Sequence, residues 1–132
     1  MKKTTHKADI DVKKSWAYYL WTAIIYKKYY GQCIVCGSPA NDAHHIFPKG
    51  AYPHMKLDIN NGVMLCRDHH DAYHSKQDIN VLQAIIEAIG QKEYKKLKLL
   101  SQQNIKVNEK WLDKQIKILE TAAKHYGILD LT

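Results

Sequence analysis

Two short pairs of soft metal ligands constrain this chain more than any other feature of it. Cys33-Ile34-Val35-Cys36 sets two thiols two residues apart. Cys66-Arg67-Asp68-His69 sets a thiol and an imidazole at the same spacing, about thirty residues later. Each pair can span one edge of a tetrahedron, which is the coordination zinc prefers. Joining the two pairs closes a long loop, and a chain of 132 residues has only a modest core to hold such a loop by other means. Three cysteines are an odd number for a disulfide framework. They suit a structural Zn²⁺ site in which Cys33, Cys36 and Cys66 are joined by His69. The plain alternative is three free thiols and a surface histidine.

The same stretch carries a second set of imidazoles: His44, His45, His70 and His74. His70 and His74 stand four residues apart, so on a helix both point to one face. Alone, such a pair reads as a solvated helix face. His44 and His45 are adjacent, and adjacent side chains on a strand point to opposite faces. One of them can meet the helix pair across a β-hairpin as a third ligand, and the other then points elsewhere with a free nitrogen. Three protein ligands leave open positions on an ion, the mark of a catalytic site rather than a structural one. An all-imidazole set suits zinc, nickel, cobalt or manganese better than magnesium, although availability can still select Mg²⁺ or Mn²⁺.

Around this segment the pattern is helical. Val12, Trp16, Tyr19, Ala23 and Tyr26 recur at helical spacing, which predicts an N-terminal helix over 9–30 with these residues as its apolar face. Gly31 can end it. "NDAHHIF" and "INNGVMLC" read as two short strands, and "RDHHDAYH" as the start of a helix. Val81, Leu82, Ile85, Ile86 and Ile89 stripe a helix from Asp78 to Ile89, and a short lysine-rich one follows over 91–101. Asn108 can cap a last helix whose face is Leu112, Ile116, Leu119, Ala123 and Tyr126. The expectation is one α+β domain over 1–132: the helix 9–30, a zinc-braced ββα core over 31–76, and a helical extension over 77–127. The extension packs on the core or offers a homodimer surface.

Charge points to the partner. The formal net charge is +7, and nineteen of the twenty basic residues are lysine. That balance favours a polyanion, because neutralising phosphates releases counterions. No apolar run approaches the roughly 20 residues needed to cross a bilayer, so no membrane partner is expected. The basic N-terminal residues are followed by no apolar stretch of a signal peptide, which makes the cytoplasm the expected location.

The order CxxC, AHHI, Asn, LCxxHH, His resembles the HNH endonucleases of the His-Me finger, or ββα-metal, superfamily. The resemblance covers residues 33–74. It implies metal-dependent hydrolysis of DNA phosphodiester bonds, leaving 5′-phosphate and 3′-hydroxyl ends. Carried onto this chain, His45 is the general base, and His44, His70 and His74 hold the catalytic divalent ion. Asn61, nine residues before His70, is the second catalytic position, fixing the loop between the strands. Arg67 and Lys49 are candidate phosphate contacts. Many members carry paired CxxC knuckles around this core; here His69 replaces the last cysteine. The helices that follow are similar to those of the phage NinG/Rap recombination endonucleases. That likeness implies recombination or repair on branched or junction DNA, within a bacterial host's cytoplasm. The rival readings are a restriction-type or nicking HNH nuclease on ordinary duplex, and a zinc-stabilised DNA-binding module without catalysis.

Overall fold

The computed structural model of the protein describes residues 2–75 and 77–130. It is α+β: a long helix α1 (Lys2–Lys28), strands β1 (Asp42–His45) and β2 (Gly62–Leu65), then α2 (Arg67–His74), α3 (Ile79–Ile89), α4 (Gln91–Ser101) and α5 (Glu109–His125). Two 3₁₀ turns, Pro53–Met55 and Ile59–Asn61, lie in the loop between the strands.

Helix α1 starts earlier than its apolar pattern announces. Its first turns lean on α5: His6 Nε2 lies 3.1 Å from Glu109, and Lys13 Nζ lies 2.9 Å from Asp113 and 3.4 Å from Glu109. Trp16 Nε1 donates to Glu120 at 3.2 Å. Polar contacts to α5 of this kind are not visible to a search for apolar periodicity.

The buried face of α1 is also not the expected one. Ala17, Leu20, Trp21, Ile24 and Ile25 are fully buried, whereas Val12, Tyr19 and Tyr26 are 68 %, 56 % and 48 % exposed. Both faces of this helix are apolar enough to show helical periodicity. Leu20, Ile24, Ile25 and Trp21 take the core, while Tyr19 and Tyr26 stay where their hydroxyls reach water.

The strands pair antiparallel, with His45 opposite Gly62, His44 opposite Val63 and Asp42 opposite Leu65. Gly62 lets the sheet touch α1. A Cβ there would stand 2.6 Å from the Ile25 side chain and 2.7 Å from the Trp21 ring. With no side chain in the way, Trp21 reaches across to the neighbouring strand and stacks on His45, with ring centroids 4.1 Å apart and planes 5° from parallel. The opposite face of β1, carrying His44, is met by α2.

The C-terminal helices follow their caps. Asp58, Asp78 and Asn108 each accept a backbone N–H at a helix start. Helix α5 buries Leu112, Leu119 and Ala123 of its expected stripe. Among the described residues no helix is long and apolar enough to cross a membrane.

Candidate metal centres and active site

Each metal-ligand pair is held by local backbone geometry. In the first, Cys33 N–H donates to the Ser38 carbonyl at 2.7 Å and Gly37 N–H returns to the Cys33 carbonyl at 2.8 Å. The result is a tight knuckle that puts both thiols on one side. Ile34 N–H donates to the Met64 carbonyl at 2.9 Å, docking the knuckle on β2. In the second pair, Cys66 is the N-cap of α2 and His69 lies in its first turn. One turn of helix brings the thiol and the imidazole together.

The four groups converge. The ligand atoms of Cys33, Cys36, Cys66 and His69 all lie within 4.8 Å of one another. Cys36 Sγ and Cys66 Sγ are 3.8 Å apart; His69 Nδ1 stands 3.6 Å from Cys33 Sγ and 3.2 Å from Cys66 Sγ. A tetrahedron with Zn–S of about 2.3 Å and Zn–N of about 2.0 Å has S···S edges of about 3.8 Å and S···N edges of about 3.6 Å. The donor set fits zinc, and the sulfur separation is far too long for a disulfide. Hydrogen bonding from Ser38 draws the Cys36 thiol down to about 6, and burial pushes Cys66 up.

The second cluster is built from β1 and α2. Ring nitrogens of His44, His70 and His74 lie within 4.8 Å of one another. His44 stacks on His70 with ring centroids 3.7 Å apart. Burial, and then the neighbouring imidazoles of His70 and His74, hold His44 down to about 4. Burial, and then His70, hold His74 below the usual imidazole range. His44 and His74 are thereby kept toward the neutral form, in which a ring nitrogen has a lone pair to offer a metal.

His45 takes the other face of β1, as strand alternation requires. It is 7 % exposed. Its Nε2 lies 2.8 Å from the Lys56 carbonyl. A carbonyl can only accept, so Nε2 carries the proton and Nδ1 keeps its lone pair. Burial holds His45 below its ordinary value, while the bond to Lys56 acts in the opposite sense. His44, His45, His70 and His74 nevertheless line one open cleft, of about 660 Å³, together with Tyr18 and Lys49. The two adjacent histidines thus reach one solvent space from opposite faces of a strand.

Asn61 is fully buried and does not line the cleft. Its Oδ1 accepts from Phe47 N–H at 2.8 Å, and its Nδ2 donates to the carbonyls of Phe47 at 3.0 Å and Met55 at 3.1 Å. Its own carbonyl accepts from Ile46 N–H at 3.0 Å. Asn61 therefore fixes the path of the chain immediately after His45, and its side chain is a positioning group. Asn61→Ala is expected to strand a buried donor and two carbonyls and to cost about 3 kcal/mol. A melting curve checks this, and an unchanged melt would contradict it.

Of the two candidate phosphate contacts, Lys49 lines the cleft; Arg67 lies exposed at the start of α2 and does not. Three supporting groups carry no signal in the sequence motif: Trp21, stacked on His45; the Lys56 carbonyl that orients it; and Tyr73, whose hydroxyl donates to the Ile46 carbonyl at 2.8 Å. Their placement is tertiary, and only the apolar pattern around Trp21 gave any hint.

Residues 33–77 match the HNH endonuclease family. The matched segment is about a third of the chain and spans both clusters, both strands and α2. Helix α1, which supplies Trp21 to stack on His45 and Tyr18 to the cleft, lies outside it. No curated protein and no solved structure matches this chain.

Proposed function

We propose that the protein is a metal-dependent endonuclease that hydrolyses DNA phosphodiester bonds, with His45 as general base. The observation that carries this reading is the division of labour across β1. His44 joins His70 and His74 in a three-imidazole set, while its neighbour His45, whose Nδ1 keeps its lone pair, lines the same cleft. A module that only bound DNA would have no use for that pairing.

His44, His70 and His74 would hold the catalytic ion, and the Cys₃His set a structural zinc. When bound, a divalent ion at three such ligands supplies Lewis-acid stabilisation of the charge developing on a phosphate. His45 does the proton chemistry. Its Nδ1 accepts a proton from water as the oxygen attacks phosphorus, the bond to the 3′-oxygen breaks, and that oxygen is finally protonated from solvent. The Lys56 carbonyl keeps the ring in the tautomer that makes this possible, and Asn61 holds the loop behind it. The +7 charge favours association with the DNA polyanion.

The helices after the HNH segment support a finer reading, cleavage of branched DNA in phage recombination or repair, through their likeness to the NinG/Rap pattern. A panel of linear duplex, fork and four-way junction tests that refinement, with preference for the junction as the expected result and equal cutting of all three as the contrary one.

Supercoiled plasmid incubated with the zinc-loaded protein and Mn²⁺ tests the main reading. Nicking is expected, and EDTA should stop it. His70→Ala and His74→Ala are expected to weaken Mn²⁺ binding at least tenfold and leave the melting temperature nearly unchanged, because the Cys₃His cluster braces the hairpin separately. Unchanged metal affinity and cleavage in either variant would remove the helix pair from the site.

A further inference from the structure

Tyr18 of α1, on the wall of the cleft, carries two ammonium groups. Lys49 Nζ stands 5.0 Å from the centroid of its ring and Lys56 Nζ 5.3 Å. Both charges attached to one ring lie at most about 10 Å apart, little more than the Debye length in physiological salt. Neither they nor Lys14 pair with a carboxylate among the described residues. Burial, and then the charges of Lys49 and Lys14, hold the Lys56 ammonium below its usual range. The face of the tyrosine ring offsets part of the repulsion, but among the described residues none of the three cations forms a salt bridge.

The position of this group is informative. Lys49 and Tyr18 line the same cleft as His44, His45, His70 and His74, while Lys56 and Lys14 line a second groove, between α1 and the start of α5, on the other side of the Tyr18 contact. The backbone carbonyl of Lys56 orients His45, so the lysine that reaches Tyr18 also anchors the base. Lys49 and Lys56 fall within the matched HNH segment; the platform Tyr18 and the third charge Lys14 come from α1, outside it.

We propose that Lys49 and Lys56, mounted on Tyr18 with Lys14 beside them, form a phosphate-binding site that holds the DNA backbone next to the bond to be cut. The inference rests on the nuclease reading and deepens it. Ammonium groups contact phosphates and carry no base information, so this site binds duplex of any sequence and its affinity falls steeply with salt.

The test is binding of a short fluorescently labelled duplex by zinc-loaded protein, without added divalent ion, between 50 and 200 mM salt. Lys49→Gln and Lys56→Gln are each expected to flatten the slope of log K against log salt by about 0.9, and the double variant by about 1.8. Lys49→Arg should restore the wild-type slope. The pair Lys117→Gln and Lys124→Gln, on exposed turns of α5, removes the same net charge and should leave the slope unchanged. Circular dichroism melts confirm that each variant is folded. If wild type binds and the Lys49 and Lys56 variants keep its slope, the lysine site is overturned and the nuclease reading stands. An equal loss in the α5 pair also overturns the site, because net charge would then account for the effect. A wild-type protein that does not bind duplex overturns the site, and one that binds neither duplex nor a four-way junction overturns the nuclease reading itself.

Discussion

Cys66→Ser is expected to lose its bound zinc and its cooperative unfolding transition together. The reason lies in where the cluster sits, at the junction of the knuckle, the hairpin and α2. The sheet is a single hairpin of two four-residue strands, and such hairpins are marginal alone. The loops on either side contain no other regular structure than two 3₁₀ turns and the knuckle. Cys66 sits where β2 turns into α2, and it joins the knuckle at Cys33 and Cys36 to the helix that carries His70 and His74. Structural zinc contributes about 10–16 kcal/mol in small sites, comparable with the whole stability of a typical domain, about 5–15 kcal/mol. Serine cannot replace the thiolate. Helices α1 and α5 should persist by their mutual packing, so circular dichroism would still show helix while calorimetry shows no sharp transition. Metal analysis should give about one tightly held zinc per chain in wild type and none in the variant. A zinc-free Cys66→Ser protein with a wild-type melt would remove the cluster's structural role.

The two clusters that could hold a metal ion were visible in the sequence because spacing fixes them. CxxC and CxxH need only a turn to converge, and His70 with His74 needs only a helix. The short strands were legible for the same reason, since alternation separates His44 from His45. What the sequence hid depends on tertiary choice. Helix α1 offers two apolar faces, and nothing in the spacing of Val12, Tyr19 and Tyr26 says that the sheet will take Leu20, Trp21 and Ile24 instead. The decision is made by Gly62, forty residues away, whose missing side chain admits Trp21. That a backbone carbonyl orients His45 could be expected, but which one was hidden, because a backbone oxygen leaves no trace in residue identity. Tyr18 and Lys56 were invisible until the long loop between the strands had been placed against α1.

His45→Ala is expected to lower the cleavage rate about 10²–10⁴-fold, the usual worth of a general base. His44, His70 and His74 do not depend on the His45 side chain, so metal binding should persist. The substitution does remove a ring stacked on Trp21 and leaves the Lys56 carbonyl without its donor. A stability loss of about 1–3 kcal/mol is therefore expected, and the assay must run well below the variant's melting temperature. His44→Ala should behave differently. It removes one of three ligands, so both Mn²⁺ affinity and cleavage should fall, with the recovery of some cutting at high Mn²⁺. The two neighbours thus separate by one quantity, metal affinity, while both lose activity. The most direct measurement is nicking of supercoiled plasmid by wild type, His44→Ala and His45→Ala across a Mn²⁺ titration, with binding of Mn²⁺ followed in parallel. The account predicts a His45→Ala protein that binds Mn²⁺ like wild type and cuts about 10²–10⁴-fold more slowly at every Mn²⁺ concentration. A His45→Ala protein that binds Mn²⁺ and cuts at the wild-type rate would contradict it.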